Sequence, residues 1–395
     1  MAFSASWVLT TIAVLLTVPS AVFAIEIVAS LFFRRRQITS TSEPRNRVAV
    51  LVPAHNEAAG IAETLDNIRA QLGPGDRLLV VADNCSDDTA NIATAHGAEV
   101  SVRSDTARIG KGYALDWGLH HLERDAPDMV IVVDADCRLA PFAVDRLASA
   151  CERTNRPVQA LYLMAAPAGS RVNHQVAEFA WRVKNLARPL GLTALGLPCQ
   201  LMGSGMAFPW AIIRSVDLGS GQIVEDLKLG LDLARTGYSP SFCPEALVTS
   251  SFPNSEKGAK IQRQRWEHGQ IGLICTSAIP LLREAIITQG FGLLVLVFDL
   301  LVPPLSLFAL ALTAIVLASA LLAFFCERPL SFIVAISSLA VFGLSATLAW
   351  IAYGRSVLPL KSVALIPWYL LSKIGQYASV LVKGRTSQWV RTDRG

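Results

Sequence analysis

The chain has 395 residues, of which 52% are apolar and 17% charged, and its formal net charge is +4. A mean hydropathy of +0.43 excludes a wholly soluble protein and places part of the chain in lipid. The apolar residues concentrate at the two ends and most polar ones in the middle, which predicts a soluble domain held between membrane segments.

The first segment, residues 1–33, reads as a transmembrane helix. Trp7 to Phe33 is apolar except for Pro19 and Glu26, and its roughly 27 residues exceed the ~20 that span a bilayer. Arg34, Arg35 and Arg36 follow the run rather than precede it, which argues against a cleaved signal peptide and for a cytosolic side beginning there. Residues 34–47 form a basic linker that also carries Arg45 and Arg47. No nucleic-acid-binding motif accompanies these cations, and anionic lipid is their expected contact.

Residues 48–289 are read as the soluble, cytosolic domain. Val48 to Val52 is a buried-strand run, and Glu57 to Leu72 follows with helical spacing of Ile61, Leu65 and Ile68. Further strands are predicted at Arg77 to Ala82, Ala98 to Arg103 and Met129 to Val133. Helices are predicted at Asp87 to His96 and Lys111 to Arg124. This alternation predicts an α/β fold with a mostly parallel sheet, whose ligands bind beyond the carboxyl ends of the strands. Glu57, Asp83, Asp134 and Asp136 all stand there. A lone acid in such a place is usually a helix cap, and Asp87 or Asp88 has that role; several on one rim suggest a site.

Two membrane helices are expected in residues 290–353, one from Gly290 to Phe325 interrupted by Asp299 and Pro303-Pro304, one from Pro329 to Tyr353. Cys326-Glu327-Arg328 would be a tight outer turn between them. Whether the first block is one kinked helix or a helix plus a re-entrant piece stays open. Residues 354–395 are expected to form an interfacial or membrane helix, Leu358 to Val382, with a basic cytosolic tail containing Lys383, Arg385, Arg391 and Arg394. Seven cysteines, residues 85, 137, 151, 199, 243, 275 and 326, show no CxxC spacing and read as reduced thiols.

Asp134-Ala135-Asp136 can bring two carboxylates to one hard divalent cation, Mg2+ or Mn2+, completed by substrate phosphates. Gly110-Lys111-Gly112 offers close backbone approach and a cation for a phosphate or base; neither GxxxxGK[ST] nor a strand-following GxGxxG occurs. Glu225-Asp226 opens a predicted helix and offers a general base. In Gln262-Arg263-Gln264-Arg265-Trp266, helical spacing puts Gln262, Arg265 and Trp266 on one face, suited to a diphosphate and a stacked sugar.

As a set these elements, with Pro53-Ala54-His55-Asn56-Glu57 and Asp83-Asn84-Cys85-Ser86-Asp87, resemble the membrane-bound family-two inverting glycosyltransferases of GT-A fold. QxxRW resembles cellulose, hyaluronan and chitin-oligosaccharide synthases and ceramide-type glucosyltransferases. The resemblance implies a nucleoside pocket at Ala54, Glu57 and Asp83. It implies donor contacts from Lys111, Asp134, Gln262, Arg265 and Trp266, and metal contacts from Asp134 and Asp136. Asp226, beside Glu225, would be the base, and Gly203, Ser204, Gly205 and Trp266 would meet the acceptor. Many members carry two adjacent aspartates where this chain has Ala82 before Asp83.

The resulting expectation is an integral enzyme of the bacterial inner membrane, using a UDP-sugar and extending a polysaccharide or oligosaccharide. The alternatives are single transfer to a lipid or polyprenyl-linked acceptor, and a non-catalytic membrane scaffold. Expected partners are the nucleotide-sugar donor, a glycan or glycolipid acceptor and membrane lipids, with no nucleic acid; protein partners are not legible.

Overall fold

A computed structural model describes residues 2–34, 45–167, 169–219, 224–253, 255–326 and 329–383. Arg35, Arg36, Glu327, Arg328, Arg385, Arg391 and Arg394 lie outside the described residues.

Eight strands form one sheet: β1 (Val48–Ala54), β2 (Arg77–Asp83), β3 (Glu99–Arg103), β4 (Met129–Val132), β5 (Arg138–Leu139), β6 (Val158–Ala165), β7 (Met206–Pro209) and β8 (Ser241–Ser251). Their spatial order is β3-β2-β1-β4-β7-β6-β8-β5. The first four pair in parallel, as the alternation predicts. β7 then runs antiparallel to both β4 and β6, β8 parallel to β6, and β5 antiparallel to β8. This is the mixed, mostly parallel α/β sheet expected of a GT-A domain.

The helices between the early strands are α2 (Ile61–Arg69), α3 (Thr89–Ala95), α4 (Lys111–Leu122) and α5 (Ala143–Thr154), after an N-terminal α1 (Ala2–Ser30). Alternate residues of β1 serve opposite faces: Val48, Val50 and Val52 pack with Ile61 and Leu65 of α2, whereas Ala49 and Leu51 pack with Leu115 and Leu119 of α4. Burial on both faces explains the unbroken apolar run of β1. α2 starts later than its periodicity suggests, because Glu57 to Gly60 turn toward the rim before the helix begins.

The second half adds α6 (Val172–Arg182), α7 (Arg188–Ala194), α8 (Trp210–Ile213), α9 (Glu225–Arg235) and α10 (Glu256–Ile287). A π-helical turn, Val183–Ala187, joins α6 to α7. After these come α11 (Phe291–Leu300), α12 (Leu305–Cys326), α13 (Leu330–Ala349), α14 (Leu360–Val363) and α15 (Ile366–Lys383).

Among the described residues four helices are long and apolar enough to cross a membrane, at 6–30, 258–287, 305–325 and 330–354. The expected block from Gly290 to Phe325 is two helices, broken at Pro303-Pro304. The 10-residue α11 is only about 15 Å long and cannot span, while the 22-residue α12 can. The fourth candidate, within α10, falls inside the region read as soluble from its charged first turns. α1 packs against α12 and α13 through Phe23, Phe308 and Phe342.

The two acids inside apolar runs have a common partner. Arg188 on α7 donates to Glu26 of α1 at 2.5 Å and to the carboxylate of Asp299 at the end of α11 at 2.6 Å, all three groups being buried. α1 and α7 approach so closely that a Cβ at Gly191 would lie 1.9 Å from the Glu26 carbonyl oxygen, so only glycine fits there.

Candidate active site

The carboxyl ends of β1, β2 and β4 open onto a cleft of about 230 Å³, closed on the far side by α6, α9 and the start of α10. β1 is the strand from which the chain order departs in opposite directions, the place where α/β sheets bind ligands.

The loops after β1 and β2 are stitched together. Asn56 takes a left-handed conformation, φ 55°, and its Oδ1 accepts from the Ser86 amide at 2.7 Å. His55 bonds the Asp83 carbonyl at 2.7 Å, and the Glu57 amide donates to Thr89 Oγ1 at 2.9 Å. Asp87 accepts from the Thr89 amide at 3.1 Å and so serves the helix start, as the sequence suggests, whereas Asp88 at the N-cap position makes no side-chain cap bond. The Asp83 carboxylate accepts from Arg103 at 2.7 Å and from the Asn84 amide at 3.0 Å. Burial still raises its pKa, against the opposing pull of Arg103. Arg103 has no signal in any motif; its position becomes legible only once β2 and β3 are known to pair with Asp83 opposite Arg103.

At the end of β4, Lys111 bridges two elements. Its Nζ lies 2.5 Å from Asp134 and donates to the Gly203 carbonyl at 2.6 Å. Burial favours the neutral amine, but Asp134 and Glu225 outweigh it and hold the Lys111 pKa above its ordinary value. The Asp134 amide donates to Ser204 Oγ at 3.1 Å. Asp134, Asp136 and Cys137 each bring a donor atom within 4.8 Å of one another. Burial keeps Cys137 a thiol, with Asp136 and Asp134 adding to the effect, so the donor set offered at neutral pH is two carboxylates. That set fits a hard divalent ion that takes its remaining ligands from phosphates and water, and does not fit a thiophilic metal.

Glu225 and Asp226 occupy the first turn of α9. Burial raises both carboxyls. Glu225 is pushed up to about 7, Lys111 opposing and Asp226 adding to the shift. Asp226 is raised against Lys184 and Lys111. Gly203, at φ 93°, leaves the space beside Asp226 open: a Cβ there would be 3.4 Å from an Asp226 oxygen and 3.8 Å from Lys111 Nζ.

α10 is capped by Ser255, whose Oγ accepts from the Gly258 amide at 3.0 Å, and its next turns carry Gln262, Arg265 and Trp266 to the cleft. Trp266 packs on Trp181 of α6 with ring centroids 4.9 Å apart. Gln262 Oε1 and Asn185 Oδ1 are buried without hydrogen-bond partners among the described residues, and both residues line the cleft.

Thus Ala54, Glu57, Asp83, Lys111, Asp134, Asp136, Gly203, Glu225, Asp226, Gln262, Arg265 and Trp266 all line one cleft. Ser204 and Gly205 do not reach it: Ser204 is fully buried beneath Asp134, and a Cβ at Gly205 would strike Ala160 and Val248. Motif reading missed Tyr162, Trp181, Lys184, Asn185 and Met202, which complete the wall. Lys184 and Asn185 sit on the π-helical turn, a local widening that no residue pattern announces.

An α/β domain with a rim of acids and a helix-borne lid, joined to apolar helices, is thereby defined. Residues 44–269 match the model of the glycosyltransferase-like family 2, and the chain belongs to that family. It is 30% identical over 250 residues to the probable glycosyltransferase YdaM of Bacillus subtilis, a match covering 56% of this chain and 55% of that one. It is 32% identical over 148 residues to an uncharacterized glycosyltransferase of Mycobacterium tuberculosis, covering 36% of this chain and 61% of the other. The chain therefore spans little more than half the length of these relatives. Among solved structures, the mannosyltransferase PcManGT from Pyrobaculum calidifontis, in complex with GDP-Man and Mn2+, superposes with a TM-score of 0.49 at 18% identity, covering 86% of this chain and 99% of that one. Glucosyl-3-phosphoglycerate synthase from Mycobacterium tuberculosis superposes with a TM-score of 0.38 at 25% identity, covering 60% and 84%.

Proposed function

We propose that the chain transfers a sugar from a nucleotide diphosphate donor, UDP by the resemblance already drawn, to an acceptor hydroxyl at the membrane face, with inversion at the anomeric carbon. The observation that carries this reading is the cluster of Lys111, Asp134, Glu225 and Asp226 around the open position at Gly203. It pairs a cation and metal-binding carboxylates, suited to a leaving diphosphate, with a base on the opposite wall. A non-catalytic scaffold has no need to keep like charges adjacent and buried at a cost in stability.

Ala54, Glu57 and Asp83 hold the nucleoside, and Arg103 fixes the Asp83 carboxylate. Asp134 and Asp136 hold Mg2+ or Mn2+, which when bound supplies positive charge against the diphosphate. Lys111 orients Asp134 and adds a second cation. Gln262 and Arg265 close over the diphosphate, the group on which charge develops. Asp226 takes the proton of the acceptor hydroxyl as its oxygen attacks the anomeric carbon. One displacement with one base leaves the centre inverted and needs no glycosyl intermediate on a carboxylate.

In the membrane, α1, α12 and α13 span and hold the domain on the cytosolic face of a bacterial inner membrane. α10 stays at the interface, because its first turns serve the cleft and its later turns pack on α9 and α11 through Leu273 and Ala285. Incubating the full chain in vesicles with a panel of labelled nucleotide sugars tests the reading. Turnover of one donor, dependent on Mg2+ or Mn2+ and lost in Asp226→Asn, is expected; no turnover of any donor by the unaltered chain would overturn it.

A further inference from the structure

A second cavity, about 240 Å³, lies behind the cleft and is separated from it only by Trp181, Trp266 and Lys184, which line both spaces. Its character is opposite. Most of its wall is apolar, from Phe179 of α6, Val302, Ala309 of α12, Phe342 and Ala346 of α13, and Leu370 of α15, while Arg263, Glu267 and Gln270 of α10 line its polar side. Sugar hydroxyls placed there would lose hydrogen bonds to water and regain few, whereas hydrocarbon would lose nothing. Two of the walls, α12 and α13, are helices long and apolar enough to cross a bilayer, so the medium outside them is hydrocarbon.

α15 closes the cavity on the remaining side. Glu267 of α10 accepts from Lys373, Gln376 and Tyr377 at 3.4, 3.0 and 3.1 Å, which fixes α15 over the opening. The opposite face of α15 presents Trp368, Leu371 and Ile374, all exposed, as an apolar stripe suited to lipid. At the junction of the two spaces, Lys184 has no hydrogen-bond or ion-pair partner among the described residues, and of the charges around it Asp226 acts on it most. The apolar chamber and the cleft that holds Asp226 therefore meet at two packed indoles and Lys184.

We infer that the acceptor is a hydroxyl-bearing lipid whose hydrocarbon chain occupies this second cavity and whose headgroup passes Trp181 and Trp266 to reach Asp226. The inference rests on the transferase reading above and names the substrate class for that site. In the step, the lipid oxygen bonds to the anomeric carbon, the bond from that carbon to the diphosphate oxygen breaks with the electron pair leaving on the diphosphate, and the lipid hydroxyl proton goes to Asp226. An oligosaccharide acceptor, which QxxRW favours on sequence alone, would meet a mostly apolar wall behind Trp266.

The test uses the full chain in phosphatidylethanolamine and phosphatidylglycerol vesicles doped with dioleoylglycerol, with the labelled donor selected by the panel. A dioleoylglycerol analogue carrying a diazirine in its acyl chain serves as the position probe. Ala309→Phe and Ala346→Phe each fill the cavity, and Leu317→Phe, on the exposed face of α12, is the control. The cavity variants are expected to lower glycolipid formation by roughly tenfold or more, while slow donor hydrolysis and the donor KM stay unchanged, and the control to alter neither. Photolabel is expected on the start of α12 and on α15. Label confined to outward residues such as Leu317, glycolipid formation undiminished in both cavity variants, or a product that is exclusively a water-soluble oligosaccharide would overturn the inference. Donor hydrolysis by the unaltered chain with no glycolipid would refute the lipid and leave the transferase reading standing; silence toward every donor would refute the latter. Should a variant fail to fold, the photolabel on the unaltered chain still decides.

Discussion

Two of the buried charge clusters among the described residues are built on different terms. At the junction with the apolar helices, Arg188 is matched by Glu26 and Asp299 through short bonds from both sides of its guanidinium. In the cleft, Lys111 and Lys184 face Asp134, Glu225 and Asp226, and two of those carboxylates are neighbours in sequence. The first cluster gives its cation two anionic partners, with only Glu26 Oε1 lacking a donor, and ties three helices together. The second leaves carboxyls raised by burial and acceptors without donors. Satisfied buried charge marks architecture; buried charge left in tension marks the place where a ligand completes the balance.

The sharpest way to break this distinction is Asp226→Asn. Transfer should fall by about 10³-fold, within the usual range for a general base, with the fold intact and thermal stability unchanged or raised. Donor binding measured by calorimetry should persist; normal turnover would remove the base assignment. Arg188→Met should do the reverse. Leaving Glu26 and Asp299 unpaired in a buried setting should cost about 3–5 kcal/mol, read as a lowered unfolding midpoint in detergent. An unchanged midpoint would show that the cluster is not what holds α1 and α11 to the domain.

Asp136→Ala comes next. The loss of one hard ligand should weaken cation-dependent donor binding by roughly 10²-fold while cation-independent binding changes little. Equal affinities with and without Mn2+ in the unaltered chain would end the metal role. A smaller effect concerns pH. Since Glu225 and Asp226 hold their protons more tightly folded than unfolded, stability should decline as pH rises from the ordinary carboxylate range through about 7. Transfer should rise over the same interval as the pair ionises, giving an ascending limb that belongs to both groups together. Lys184→Met should move that limb to higher pH, because Lys184 opposes the rise of the Asp226 pKa. Least of all, Arg47→Gln, which cuts an exposed ion pair with Asp125, should leave the melting temperature unchanged within error.

The parallel half of the sheet was legible because burial on both faces of β1, β2 and β4 forces continuous apolar runs, each ending where a polar loop must begin. The acids of the rim could therefore be placed without coordinates. The mixed half was not legible, since β7 and the two-residue β5 are too short to show a period. Their pairings join residues far apart in sequence, such as Arg138 with Thr249. Lys184 and Asn185 escaped because a π-helical turn aims them inward from a stretch that reads as ordinary helix. Ser204 and Gly205 show the converse failure. They stand in a motif beside Gly203, yet the bend at 203–205 turns only Gly203 to the cleft, packing Ser204 beneath Asp134 and Gly205 against Ala160 and Val248. Glu26 and Asp299 were visible only as interruptions, and their shared partner emerged from packing.

The Arg188 cluster has a consequence for how the protein is made. α1 precedes Arg188 in the chain and carries Glu26, an acid whose partner comes only when α7 is made and docked against it. Asp299 comes later still and completes the same knot. Docking of α1 and packing of the domain are therefore interdependent, since the Arg188 cluster takes residues from α1, α7 and α11. A chain trimmed ahead of Arg45 in the hope of a water-soluble enzyme would leave half of the Arg188 guanidinium unanswered and the face of Gly191 uncovered. Solubilisation of the intact chain, rather than amputation of its first helix, follows as the route to material for biochemistry.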